Sequence, residues 1–510
     1  MNLILALDIG TTGTKAALVN REGHILATGF ADYPTYHSAG NVVEQEPEAW
    51  WRATCTALAQ IWQTAPKDAA AQVAAVSLSG QMQDLILLGA DGAIGRAILY
   101  SDCRAQEEAA FVTQTLGQET LERITGNEQG PASLLAKWLW LQKYAPDQLA
   151  ACRKILVGAH EYVGWRLHGA AGADYTTAAT TGLLDLTRNR WSFDVLTALG
   201  LDADKLPGLH AATSVVGEVT TTAAALTGIP AGTPVLRGAG DLAATTIGVG
   251  AGEPGRLYGY LGTSGWVAAS LDQAMPNPRG GVFTLRHPDP QRYIQVAPML
   301  TAGGNLDWFR AEVAGSVGQG AGGKEQGVSY ETLNAQAASS RLGSGGLIYL
   351  PYLAGERSPF SDPQARGAFI GLSTTTTQAD MARAVMEGVA LAYRSLCMAL
   401  NLPLGGALYL VGGGAKSPVW PQILADVLGC EVQVVAAPGD AAARGAAILA
   451  GIELGWWSSF APDRSFFPVS QVFIPDERQR SLYDGLYAVF QTLYPQLRGA
   501  FAELAALRLR

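Results

Sequence analysis

The chain has 510 residues, 48% of them apolar and 15% charged, enough apolar side chain to build two to four domains with buried cores. A formal net charge of −9 with no Lys/Arg run argues against a nucleic-acid partner, and no apolar stretch approaches the ~20 residues of a membrane helix. Five scattered cysteines (Cys55, Cys103, Cys152, Cys397 and Cys430) with no CxxC pair predict a reducing, cytoplasmic setting without disulfides.

Residues 3–14 read LILALDIGTTGT, an apolar strand that ends in Asp8 and a Gly/Thr turn, and a second strand over 15–20 completes a hairpin. The N-terminus lacks a basic segment and Asp8 interrupts its apolar run, so it does not read as a signal peptide. A helix over 47–65 has Pro47 in its first turn, where the missing N–H is harmless. Strands over 72–78 and 85–88, a helix over 133–144, and a strand with a helix over 154–167 follow. A buried strand at 234–237 feeds Gly238-Ala239-Gly240-Asp241, with a helix from Leu242. The Gly/Pro-rich segment 250–255 reads as a domain boundary.

Residues 257–267, LYGYLGTSGWV, then repeat the strand–turn–strand pattern, with Gly262-Thr263-Ser264-Gly265 in register with Gly10-Thr11-Thr12-Gly13. Residues 315–327 are Gly-rich and read as a surface loop. Helices are expected over 380–400, 418–428 and 441–454, and strands over 407–411 and 432–435. The stretch 475–510 places Leu482, Leu486, Val489 and Leu493 at helical spacing, as a capping helix with that face on the core.

Two Gly/Thr turns in matching register carry the chemical signal. Glycines let the backbone approach an anion, and the freed N–H groups with the hydroxyls cradle phosphate oxygens. Only the first turn follows an acid, Asp8, placed to hold Mg²⁺ or its water. The segment from Gly238 to Ala243 fits GxGxxA, but it closes a domain and no acid is well placed ~20 residues on, which speaks against dinucleotide binding. Asp241 reads either as a proton acceptor at a cleft edge or as a helix cap. Gly412-Gly413-Gly414-Ala415 follows a strand and permits flat approach of an adenine ring.

Taken together, the chain resembles the FGGY carbohydrate kinases of the actin-like and hexokinase-like superfamily, from Leu3 to about Gly451. The resemblance rests on residues 5–15, on Lys137-Trp138-Leu139-Trp140, on the segment 350–359 (LPYLAGERSP), on 367–372 (GAFIGL) running through Asp380 to Glu387, and on 412–417. Ser79-Gly80-Gln81-Met82 is most similar to the xylulokinase subfamily.

The resemblance implies an α/β fold of two ribonuclease-H-like domains about a central cleft. Residues 1–250 would carry the sugar side and first phosphate hairpin, and 251–510 the second hairpin and the adenosine side. It implies Asp241 as catalytic base and Asp8 as the acid near Mg²⁺. Thr11, Thr12, Gly262, Thr263, Gly412, Gly413 and Ala415 would bind ATP, and Gln81, Met82, Gln83, Asp241 and Leu242 would meet the acceptor. The expected partner is a small sugar or polyol, with neither nucleic acid nor membrane, and a homodimer is the assembly left open. The acceptor implied is a ketopentose such as xylulose, with ribulose, glycerol or erythritol types as alternatives. A chaperone-like ATPase or a sugar-binding regulator remains as a rival. The subfamily pattern has His after Gln-Met and Asn after the base; here Gln83 and Leu242 stand there.

Overall fold

The computed structural model describes residues 2–315, 328–402, 406–462 and 466–508. Nearly all of the expected Gly-rich loop at 315–327 lies outside them. Two seven-stranded sheets organise the chain. The first is built on β1 (Leu3–Ile9), β2 (Gly13–Asn20), β3 (Ile25–Asp32), β4 (Val73–Gly80) and β5 (Pro234–Leu236). β1, β2 and β3 form an antiparallel meander, while β4 runs parallel to β1 and β5 parallel to β4. Val215–Glu218 closes one edge, and Ala239–Gly240 also pairs with β4.

The second sheet repeats the plan with β6 (Leu257–Leu261), β7 (Gly265–Leu271), β8 (Tyr293–Met299), β9 (Leu408–Val411) and β10 (Val432–Val435). Again three strands form a meander and two join in parallel. Phe283–Arg286 and Val469–Phe473 flank it. The matching turns seen in the sequence are therefore equivalent corners of two equivalent sheets.

β1 and β4 are almost wholly apolar because both faces of the first sheet are covered. One face packs Leu5 and Leu7 with Trp50, Leu58 and Ile61 of the helix Pro47–Thr64. Helices from opposite halves of the chain cover the inner faces of the two sheets. Those helices are α1 (Asp241–Gly248) and α2 (Ala441–Glu453). α2 lays Ala443, Ala446, Ala447 and Ala450 on Ile4, Ala6, Ala17 and Ala75 of the first sheet. α1 puts Ala243 and Ile247 among Tyr258, Ala268 and Val411 of the second. The helices cross where Gly248 meets Ala441 and Gly445 meets Ala244, so closely that a Cβ on either glycine would overlap backbone.

Two expectations shift. The helix expected over 380–400 runs Gln378–Ala399, because Thr377 and Asp380 form a capping box ahead of it. The C-terminal helix, Arg480–Arg508, keeps Leu486 and Leu493 of the expected stripe on the core but rotates its buried face toward the aromatic residues beside that stripe. Leu482 and Val489 are 37% and 49% exposed, while Tyr483, Tyr487, Phe490 and Leu493 are buried. The aromatic rings bury more area than the leucines of the neighbouring stripe, and Tyr483 also donates to buried Glu387 (2.9 Å).

Candidate active site

Asp8 is the penultimate residue of β1, paired with Lys15 of β2 and Ser79 of β4. Ser79 Oγ donates to its carboxylate (3.0 Å), and burial holds its pKa above the ordinary value against Ser79, Lys15 and His160. The turn after it is closed by Gly10 N–H on Gly13 C=O (3.1 Å). Asp8, Gly10, Thr12, Gly13 and Lys15 line one open cavity of about 540 Å³ with Gly439 from the other half. Lys15 is not a free cation there: it donates to Gly439 C=O (2.9 Å) and pairs with Asp440.

No described cluster of three metal-binding side chains includes Asp8; the one present is His160, Glu161 and Asp174, all buried. A single half-buried carboxylate on the wall of an open cavity suits a divalent ion held mainly by water and phosphate oxygens, as Mg²⁺ is, rather than an all-protein cage.

The sharp descent into α1 depends on close packing. Gly238 has φ +71° and sits against Leu78 C=O, and Gly240 sits against the Met82 thioether. These glycines serve packing on β4 and Met82, which accounts for the GxGxxA match without a dinucleotide. The helix cap is Gly240, with no side-chain cap bond, so Asp241 is not spent as a cap. Burial, reinforced by the charge of Asp8, raises Asp241 to a pKa of about 7. A base poised near neutrality can take a proton at working pH.

Beside it lies a cavity of about 350 Å³ lined by Met82, Gln83, Tyr100, Cys103 and Asn127 to Ser133, with Thr180 and Leu242. Phe283, Leu285, Val296 and Arg357 close it from the second half. The expected residues Met82, Gln83 and Leu242 thus converge. Gln83 adopts φ +65° where the strand pairing slips between Met82 and Ile86, which turns it out of the regular ladder. Gln81 does not line the cavity. It is 1% exposed, and its amide donates to Gln45 Oε1 (2.9 Å), whose own amide donates to Thr11 C=O (2.7 Å). That chain of amides braces the first turn from behind.

The second turn is tied down by its carbonyls. Gly303 N–H donates to Gly262 C=O (2.7 Å) and Ala302 N–H to Thr263 C=O (2.8 Å). Gly262, Thr263, Gly413, Gly414, Lys416 and Ser417 then line a third cavity of about 400 Å³ with Leu306, Asp307, Tyr330, Asn334 and Trp420. Ala415 is buried and Gly412 carries the bend at φ +104°; neither lines it, and Gly414 takes that place.

Sequence reading missed the Asn127–Ser133 wall and Tyr100, Tyr330 and Asn334, which lie in loops and helices without a motif of their own, and Arg357, which sits in the segment 350–359 but was given no role there. None of Trp50, Trp51, Trp138 or Trp140 lines these three cavities; Trp420 does.

Residues 3–248 match the model of the FGGY family of carbohydrate kinases, N-terminal domain, and residues 257–454 match its C-terminal domain. The chain is 30% identical to a xylulose kinase of Bacillus subtilis over 513 aligned positions, covering 100% of both. It is 31% identical to a xylulose kinase of Escherichia coli, covering 97% of this chain and 99% of that one. Its fold superposes on the crystal structure of xylulose kinase from Rhodospirillum rubrum with a TM-score of 0.90 at 29% identity, covering 98% and 100%.

Proposed function

The chain belongs to the FGGY family of carbohydrate kinases, ATP-dependent sugar kinases that also use a divalent metal, and from that premise we propose that its acceptor is a ketopentose such as xylulose. The observation that carries the reading is the placement of Asp241: a carboxyl with a pKa of about 7, raised in part by the charge of Asp8 beside the first turn, and adjacent in the chain to Leu242, which lines the acceptor cavity. We assign residues 1–250 to the sugar-side domain and 251–510 to the nucleotide-side domain, with Mg²⁺ as the metal and the cytoplasm as the setting.

The two turns, at Thr11-Thr12 and Gly262-Thr263, hold the phosphates, and the cavity at Gly413 and Gly414 takes the adenosine. The acceptor lies against Met82, Gln83 and Leu242 with one hydroxyl at Asp241. Asp241 accepts that proton as the hydroxyl oxygen bonds to the γ-phosphorus and ADP leaves. Positioning and charge stabilisation supply most of the acceleration in phosphoryl transfer. Asp8 would hold Mg²⁺, which when bound neutralises charge on the phosphates. Phe283, Leu285 and Val296 cover the acceptor from the second domain and exclude water, the competing acceptor.

A coupled ADP-release assay over ketoses, aldoses and polyols tests the acceptor. D-xylulose is expected to give the highest kcat/KM. Gln83 and Leu242 replace an imidazole and an amide of the subfamily pattern, so ribulose or a polyol above D-xylulose would move the assignment to that class. ADP release independent of every acceptor would remove the kinase reading.

A further inference from the structure

Beneath the acceptor cavity lies a buried pair of opposite charges that the reaction above does not use. Asp84 and Lys137 are both fully buried. Asp84 follows Gln83, and Lys137 projects from the helix Leu134–Tyr144. Lys137 Nζ donates to Leu99 C=O (2.6 Å), and Tyr100 N–H donates to Asp84 Oδ1 (3.1 Å). That carbonyl and that N–H belong to one peptide group. The cation sits on its negative end and the anion on its positive end, so both contacts favour the same orientation of one plane. Charge-assisted bonds of this kind are stronger than neutral ones, and more so away from water.

Burial drives Asp84 well above the ordinary carboxyl range and Lys137 down to about 8, and each pulls the other back toward its charged form. Such a pair adds little to stability by itself, because desolvation offsets the attraction and apolar side chains of similar volume often serve as well. Its effect is therefore to be sought in what it orients. Tyr100 lines the acceptor cavity next to Gln83 and Cys103, and its hydroxyl lies 3.4 Å from Thr11 Oγ1 in the first phosphate turn. It stands between the two substrates.

We infer that Asp84 and Lys137 are positioning residues for the transfer: by gripping both ends of the Leu99–Tyr100 peptide, they fix Tyr100 as the spacer between acceptor and first phosphate turn. The inference rests on the acceptor reading of this cavity given above.

Single substitutions would leave an unpaired buried charge, so the informative variant is the doubly neutral Asp84→Asn, Lys137→Met enzyme. Its melting temperature is expected to stay within a few degrees of the parent. KM for D-xylulose, and its calorimetric Kd without nucleotide, should rise about tenfold or more while KM for ATP moves less than twofold. In a Tyr100→Ala background the same double change should leave KM for D-xylulose unmoved, because interacting sites are non-additive. A folded double variant with the parental KM for D-xylulose overturns the inference, and so does an equal rise in the Tyr100→Ala background. A parent enzyme that ignores D-xylulose but phosphorylates another sugar overturns the acceptor assignment alone, and the same comparison is then read with that sugar.

Discussion

Replacing Asp241 by asparagine probes the base and the electrostatic strain of the site together. Folding moves this carboxyl from the ordinary 3.8 to about 7, chiefly by burial and further by the charge of Asp8. The folded state therefore holds the proton more tightly than the unfolded chain does. The stability conferred by that proton is fully present below the ordinary value, and it is lost as pH rises through the folded pKa near 7. At 1.36 kcal/mol per pKa unit, the loss is about 2 kcal/mol by pH 5.5 and levels near about 4 kcal/mol at pH 8. Asparagine is neutral throughout and escapes the loss. The variant should exceed the parent in stability by those amounts, while turnover falls roughly 10²–10⁴-fold. Urea denaturation at pH 5.5 and 8, with the coupled ADP assay, reads both. A stability gain of equal size at the two pH values refutes the buried-carboxylate argument, and near-parental turnover refutes the base.

As the proposed base, the same group should also set the pH profile of the parent. About a tenth of Asp241 is ionised at pH 6 and about nine tenths at pH 8, so kcat/KM should climb close to tenfold across that window, and a flat profile would remove Asp241 from the rate. Asp8→Ala should shift the Mg²⁺ titration of turnover to higher concentration and leave calorimetric sugar binding unchanged; titrations that overlay would make Asp8 structural. Gly445→Ala drives a methyl group into the Ala244 carbonyl and should lower stability by about 1–3 kcal/mol, read by urea denaturation; parental stability would mean that the helix crossing yields freely.

Much of this site is legible in the sequence because turns and strand ends are local. The alternation around Asp8, the repeat at Gly262 and the strand before Gly412 all depend on neighbours within a few residues. In the sequence Asp241 reads equally as base or cap, and the backbone places the cap at Gly240 instead. What stayed hidden depends on long-range partners. Lys15 opens the second strand of the hairpin in the sequence, yet its partner Asp440 is 425 residues away. Gln81 sits within the motif, but its amide is engaged by Gln45, 36 residues earlier. The C-terminal helix shows two plausible faces at nearly the same spacing, and the buried hydrogen-bonding site offered by Arg383 and Glu387 selects the one with Tyr483.

The crossed helices α1 and α2 have a mechanical consequence. With no gap for sliding at Gly248 and Gly445, any opening of the cleft has to turn about that crossing. In a rotation, travel grows with distance from the axis. Asp241 begins the very helix that crosses there, two turns and about 10 Å away along it, so a swing of about 10° carries it less than about 2 Å. Glu128 from the first half and Arg357 from the second line one cavity, and such a rotation would displace residues farther from the crossing by more than it displaces Asp241. The carboxylate thus works as a bearing, and the jaws that admit a sugar can open wide without dragging it off station.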